Sequence, residues 1–216
     1  HGCLNRSKRE AAVVAALGSG RGDLTNVEPE VKSVGRLFPD ALIRTGGQAT
    51  KQWLRSVGPH CDVLHLACHG YFDSVSPRFS FLLLADDTSG AADYDRHNIQ
   101  TGAHSTSHSG ERLGGRLYAE DIIRRLRMPD LVTLSACETA VAQVQDGDEL
   151  TSLARACFCA GASSVLSSLW VADDKVTRAL MVLFYRELKK GHRAEALRTA
   201  QIRLLKSTQT SHPYFW

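Results

Sequence analysis

Two stretches of this chain carry residues able to do covalent chemistry together. Leu131-Val132-Thr133-Leu134-Ser135-Ala136-Cys137-Glu138-Thr139 is an apolar, β-like run that delivers a cysteine at its end. Asp62-Val63-Leu64-His65-Leu66-Ala67-Cys68-His69-Gly70 is a run of the same kind that delivers a histidine followed by glycine. A thiol and an imidazole at neighbouring strand ends make a nucleophile and its base. A free thiol titrates near ~8.5, and a neighbouring imidazolium or helix N-terminus lowers that value and raises the thiolate fraction.

The rest of the chain must bring the two ends together. Ala11 to Leu17 reads as a strand buried on both faces, closed by the loop Gly18-Ser19-Gly20. That glycine-rich stretch lacks the G-x-x-x-x-G-K-[ST] pattern of a phosphate loop. Glu28 to Leu37 has helical spacing of Val31, Val34 and Leu37, and Pro39 ends it before a short strand at Ala41 to Arg44. Thr50 is placed to cap a helix that runs through Val57 to Gly58-Pro59. Phe79 to Leu84 reads as a strand or strand edge, and Tyr118 to Leu126 as a short helix. After the cysteine strand, Asp148 to Ala160 reads as a helix stopped by Gly161, and Ser163 to Leu169 as a strand. Asp173 or Asp174 caps a long amphipathic helix, and a last helix runs from Arg193 to Lys206 with Ala194, Leu197, Ala200 and Leu204 on one face. Strands that alternate with helices imply right-handed crossovers, hence an α/β/α sandwich with a mainly parallel central sheet. Ligands of such sheets bind at the carboxyl ends of strands, where His69 and Cys137 stand.

Period two along the histidine strand puts Leu64, Leu66 and Cys68 on one face and His65 and Ala67 on the other. This leaves His65 mid-strand with a structural hydrogen bond as its task, and Cys68 as a packing residue.

Composition narrows the classes. With 216 residues, 43% of them hydrophobic and 23% charged, the chain has the profile of one globular domain, residues 1–216. The net charge of +3 is spread along the chain, so it argues for neither nucleic-acid nor membrane-surface binding. No run reaches the ~20 apolar residues of a membrane span. Cys3, Cys61, Cys68, Cys137, Cys157 and Cys159 form no C-x-x-C pair and mostly sit in apolar runs, which fits a reducing, cytoplasmic setting. The start at His1 rather than Met suggests an excerpt from a longer protein or a processed one.

Residues 86–115 break the pattern, being rich in Asp, Ser, Thr, Gly and His, and read as a mobile polar insertion. His97, His104 and His108 in it match no tight ligand template and read as solvated, so no metal site is expected. Arg96, Arg112 and Arg116 make it a candidate regulatory or self-cleaved loop.

The ordered set His65-Leu66-Ala67-Cys68-His69-Gly70, Leu134 to Thr139, Gly161-Ala162 leading to Ser168-Leu169-Trp170-Val171-Ala172-Asp173-Asp174, and Phe184-Tyr185 resembles the successive motifs of the CHAT domain. That family belongs with the caspase-like cysteine peptidases, is kin to separase and is often joined to tetratricopeptide repeats. The resemblance implies a His/Cys dyad, with His69 as general base or ion-pair partner and Cys137 as nucleophile in hydrolysis of a protein substrate, with no cofactor. It also implies a repeat-domain or regulatory partner in cis or in trans. Gly70 lacks a Cβ, so its N–H can approach an acyl oxygen and form an oxyanion hole with the N–H of Cys137. In separase-like relatives an acid on the loop matching Asp173 and Asp174 lines the pocket for a basic P1 side chain; one of the two caps the helix and the other would recognise Arg or Lys. Asp148 and Glu149 are the rival acids, with a helix first turn as their alternative task. Ser80, in an S-x-L-x-L-like stretch, is assigned either to the cleft border or to packing. The alternative to an enzyme is a non-catalytic interaction or signalling module on the same fold.

Overall fold

The computed structural model describes residues 14–19, 27–73, 76–86, 114–138, 149–168 and 173–212, with backbone alone at 136–138 and 149–152. Thirteen elements follow in chain order among the described residues: β1 (Val14–Ser19), α1 (Val27–Gly35), β2 (Leu42–Thr45), α2 (Lys51–Val57), β3 (Val63–Tyr71), β4 (Phe81–Leu83), β5 (Arg116–Tyr118), α3 (Ala119–Arg125), β6 (Leu131–Glu138), α4 (Glu149–Cys159), β7 (Ser164–Ser167), α5 (Asp174–Leu188) and α6 (Arg193–Leu205). Seven strands make one sheet in which β2, β1, β3, β6 and β7 run parallel in that spatial order. The antiparallel pair β4 and β5 continues the β1 edge of β3 beyond Cys68, because β6 already occupies the other edge from Val63 to Gly70.

Each face of the sheet buries a separate apolar layer. On one, Leu64, Leu66 and Cys68 of β3 and Val132 and Leu134 of β6 pack against Leu54, Val57, Ile122, Leu153, Ala156 and Cys157 of α2, α3 and α4. On the other, Val63 and Leu131 pack against Val34, Leu180, Met181, Phe184, Ala196, Ala200 and Leu204 of α1, α5 and α6. This is the caspase-like α/β/α sandwich with a mainly parallel sheet. Central parallel strands are covered by crossover helices on both sides, which is why their sequences read as continuous apolar runs.

Several boundaries move for identifiable reasons. Gly18 is not the start of a loop; it lies inside β1, where a Cβ would stand 2.9 Å from Val27 and Val31 side chains of α1. The expected strand Phe79 to Leu84 contracts to Phe81–Leu83, because Pro77–Phe79 forms a 3₁₀ turn. Tyr118 is the last residue of β5 rather than the first of a helix, a strand too short for a periodicity to mark. In α6 the inward face is Ala196, Ala200 and Leu204, while Ala194 is exposed. The Thr50 cap is present: its Oγ1 accepts from the N–H of Trp53 at 3.1 Å. Most of the polar insertion, and with it His97, His104, His108, Arg96 and Arg112, lies outside the described residues.

Gly115 returns the chain to the sheet by close approach of backbone to backbone. Its carbonyl accepts from Leu84 N–H at 2.7 Å, and a Cβ on it would stand 1.8 Å from the Leu84 oxygen. Gly115→Ala should therefore cost roughly 1–3 kcal/mol by forcing β4 and β5 apart, read as a lowered urea midpoint at unchanged m-value.

Candidate active site

β3 and β6 are adjacent and parallel, with the Cα positions registered from Val63↔Leu131 to Gly70↔Glu138. His69 is registered with Cys137, so the two positions lie one strand spacing apart, ~4.8 Å, at the carboxyl end of the sheet. His69 belongs to the face that α1, α5 and α6 cover, by the same alternation that sends Leu66 to the other layer. His69 is half-buried. The pairing with β3 carries β6 through Cys137 to Glu138, and the residues that follow, 139–148, lie outside the described residues. Gly70 is registered on both edges, opposite Leu82 of β4 and Glu138 of β6.

Over residues 4–216 the chain matches the CHAT domain family. It belongs to that family. The CHAT domain is also 26% identical over 211 residues to tetratricopeptide repeat protein 28 of Mus musculus, an alignment that takes in 90% of this chain and 8% of that protein. The chain thus spans about a twelfth of the relative's length.

The other candidate residues of the CHAT domain separate into caps, packing and rim. Asp173 is the α5 cap: its Oδ1 accepts from the N–H groups of Lys175 at 2.9 Å and Val176 at 3.0 Å. Asp174 stands in the first turn of that helix, half-buried. Asp148 lies outside the described residues, and Glu149 opens α4. Ser80 is buried and its Oγ accepts from the N–H of Asp73 at 3.0 Å, while Asp73 Oδ1 accepts from Ser76 N–H at 2.8 Å. Those bonds tie the segment that follows β3 to the residue that precedes β4.

Below the dyad positions lies a polar cluster that periodicity alone did not reveal. His65 is fully buried; its Nε2 lies 3.0 Å from Glu30 Oε1, an ion-pair contact bent out of hydrogen-bond alignment. Its Nδ1 lies 3.3 Å from the Tyr185 hydroxyl, which donates to Thr133 Oγ1 at 2.8 Å. Burial pushes the Tyr185 hydroxyl far above the ordinary tyrosine range, against the lowering effect of Thr133, so it stays protonated and a donor. Four elements, α1, β3, β6 and α5, meet at this point. The expected structural bond of His65 is there, and the signal for its partner was Glu30, a carboxylate on the apolar stripe of α1 beside Val31 and Val34.

The remaining described thiols differ in reactivity. Burial pushes Cys157 up to about 12 and, partly offset by a backbone hydrogen bond, Cys61 up to about 11; Cys68 is buried in the core and Cys159 is exposed. A raised thiol stays neutral below that value, so alkylation of the native protein at pH 8 should modify Cys159 and leave Cys61, Cys68 and Cys157 intact, as peptide mass mapping would read. Among the described residues no cluster of His, Cys, Asp and Glu fits a metal ion, and no helix is long and apolar enough to cross a membrane.

Proposed function

We propose that this CHAT domain is a cysteine endopeptidase that cleaves a protein substrate through His69 and Cys137. The observation that carries the reading is the register of those two positions on adjacent parallel strands, at the sheet end where such folds bind ligands. The Cys137 thiolate attacks the scissile carbonyl, His69 protonates the leaving amine, and water deprotonated by His69 then releases the acyl group. The N–H groups of Gly70 and Cys137 would receive the oxyanion. No step calls for a metal or cofactor.

Asp173 is occupied with its cap, so the recognition of a basic P1 side chain falls to Asp174, with Asp148 as the rival. The likeness to a tetratricopeptide repeat protein supports a repeat-domain partner in cis or trans that regulates cleavage, in the reducing setting a thiolate needs. Self-cleavage within the polar insertion belongs to the same reading.

One observation favours a second reading, an interaction module that kept the fold: Gly70 is paired on both edges, which commits its backbone to the sheet. A thiol-directed peptide probe separates the two. Labelling of Cys137 that is lost in His69→Ala supports the enzyme, and labelling indifferent to His69 supports the module.

A further inference from the structure

α1 and α5 pack side by side on the outer face of the sandwich and leave a cavity of about 640 Å³ between them. Arg36 lines it from the C-terminal end of α1, and Lys175, Arg178 and Arg186 line it from α5. Leu37 and Val182 supply an aliphatic floor. Positions 175, 178, 182 and 186 recur at helical spacing, so the cations form one stripe along α5. From Lys175 to Arg186 that stripe is about 16 Å long at ~1.5 Å per residue.

These four cations have no ion-pair partner among the described residues. Of the carboxylates on the two helices, Glu28 engages Lys32 at 3.0 Å, Glu30 lies against His65, Glu187 engages Lys190 at 2.9 Å and Arg203 at 2.8 Å, and Asp174, in the first turn of α5, is not among the residues that line the cavity. Proximity to Lys190 and Arg203 holds the Glu187 carboxyl below the usual range. Among the described residues, then, no acid lines the cavity. Four like charges converging without a counter-charge repel one another, and an anionic occupant relieves that repulsion.

The chemistry of the lining selects among anions. Among the described residues no aromatic side chain lines the cavity to stack on a base, which disfavours a nucleic acid. The first N–H groups of α5 are taken by Asp173, so no backbone cradle awaits a lone phosphate. What remains is a linear groove with spaced guanidinium groups, suited to bidentate carboxylate pairs, over an aliphatic floor. A stripe of about 16 Å matches about five residues of extended chain at ~3.3 Å each.

We propose that the α1/α5 groove docks an acidic segment of a partner polypeptide, its carboxylates on Arg36, Lys175, Arg178 and Arg186 and its apolar side chains on Leu37 and Val182. None of the lining residues is among those assigned to cleavage, so its occupancy is read without substrate turnover.

The test is fluorescence anisotropy on the whole chain with a fluorescein-labelled peptide of alternating Glu and Leu. Binding should weaken as ionic strength rises from about 0.1 M to about 1 M. Arg36→Glu/Arg178→Glu should lower affinity at least about tenfold, and the neutral Arg36→Gln/Arg178→Gln pair by less, with the far-ultraviolet circular dichroism of both unchanged. Peptide cleavage should be unaltered in both variants. The proposal is overturned if the reversal pair binds as the parent does, or if a peptide with Gln for every Glu competes equally. It is equally overturned if Arg124→Glu/Arg125→Glu, on α3 of the opposite layer, weakens binding as much. Preference for a single-stranded oligonucleotide or phosphatidylserine vesicles, lost in the same reversal pair, would reassign the groove and sink the peptide reading.

Discussion

Cys137→Ala should lower peptide cleavage by about 10³-fold or more, to the background of the assay, while the protein keeps its circular dichroism and its unfolding midpoint. The reason is the identity of the attacking atom. A methyl group in place of the thiol removes the nucleophile altogether, and among the described residues Cys68 does not replace it: it is fully buried in the layer opposite His69, and its register partner is Ala136. His69→Ala should give a loss of similar size, and the double variant little more, because nucleophile and base act as a unit. A library of peptides profiled with parent and Cys137→Ala protein reads activity and P1 preference together. In that library Asp174→Asn should lower kcat/KM selectively for Arg and Lys at P1, leaving neutral P1 peptides nearly unchanged. Cleavage that survives Cys137→Ala would remove the peptidase assignment and leave the interaction module.

His65→Leu should destabilise the fold by roughly 3–5 kcal/mol. Its partner Glu30 is almost wholly buried, so loss of the imidazole leaves a buried carboxyl group without its polar neighbour in an apolar layer. Tyr185 loses a neighbour at the same time, although its bond to Thr133 survives. The double variant Glu30→Met/His65→Leu should recover most of that loss, since an apolar pair of similar volume needs no counter-charge. Urea unfolding at constant m-value measures both. A loss under about 1 kcal/mol in the single variant would mean that the cluster is hydrated rather than dry.

That cluster also bears on catalysis. His65 lies four residues before His69 on β3, about 13 Å away along the strand, and Thr133 lies four residues before Cys137 on β6. The bonds through Tyr185 therefore pin the two dyad-bearing strands to α5 from below. His65→Leu should consequently slow cleavage as well, in proportion to the loosened register, while Cys137→Ala leaves stability alone.

Much of this was legible in the residues. Apolar runs of strand length alternating with amphipathic helices imply a parallel sheet covered on both faces, because only crossover helices bury both sides of such strands. The alternation in Leu64 to His69 told that His65 lies on the face opposite Leu64 and Leu66, mid-strand, while β3 continues two residues past His69 to Tyr71. Thr50 as one cap, and either Asp173 or Asp174 as another, could be read from position, since a helix must satisfy its first N–H groups locally. Short-range rules settle all of these.

The tertiary structure decided what depends on contacts between distant residues. Only it shows that β3 and β6 are neighbours and that their register sets His69 against Cys137. Strand order in a parallel sheet is fixed by how helices pack across it, and no local pattern records that. Only it joins Glu30 to His65, Tyr185 and Thr133, four polar residues spread over four elements. It alone turns Arg36 and the basic stripe of α5 into one groove. Local chemistry chose the residues, and packing at long range chose which of them meet, because side-chain periodicity reports the face a residue occupies but not what lies opposite it.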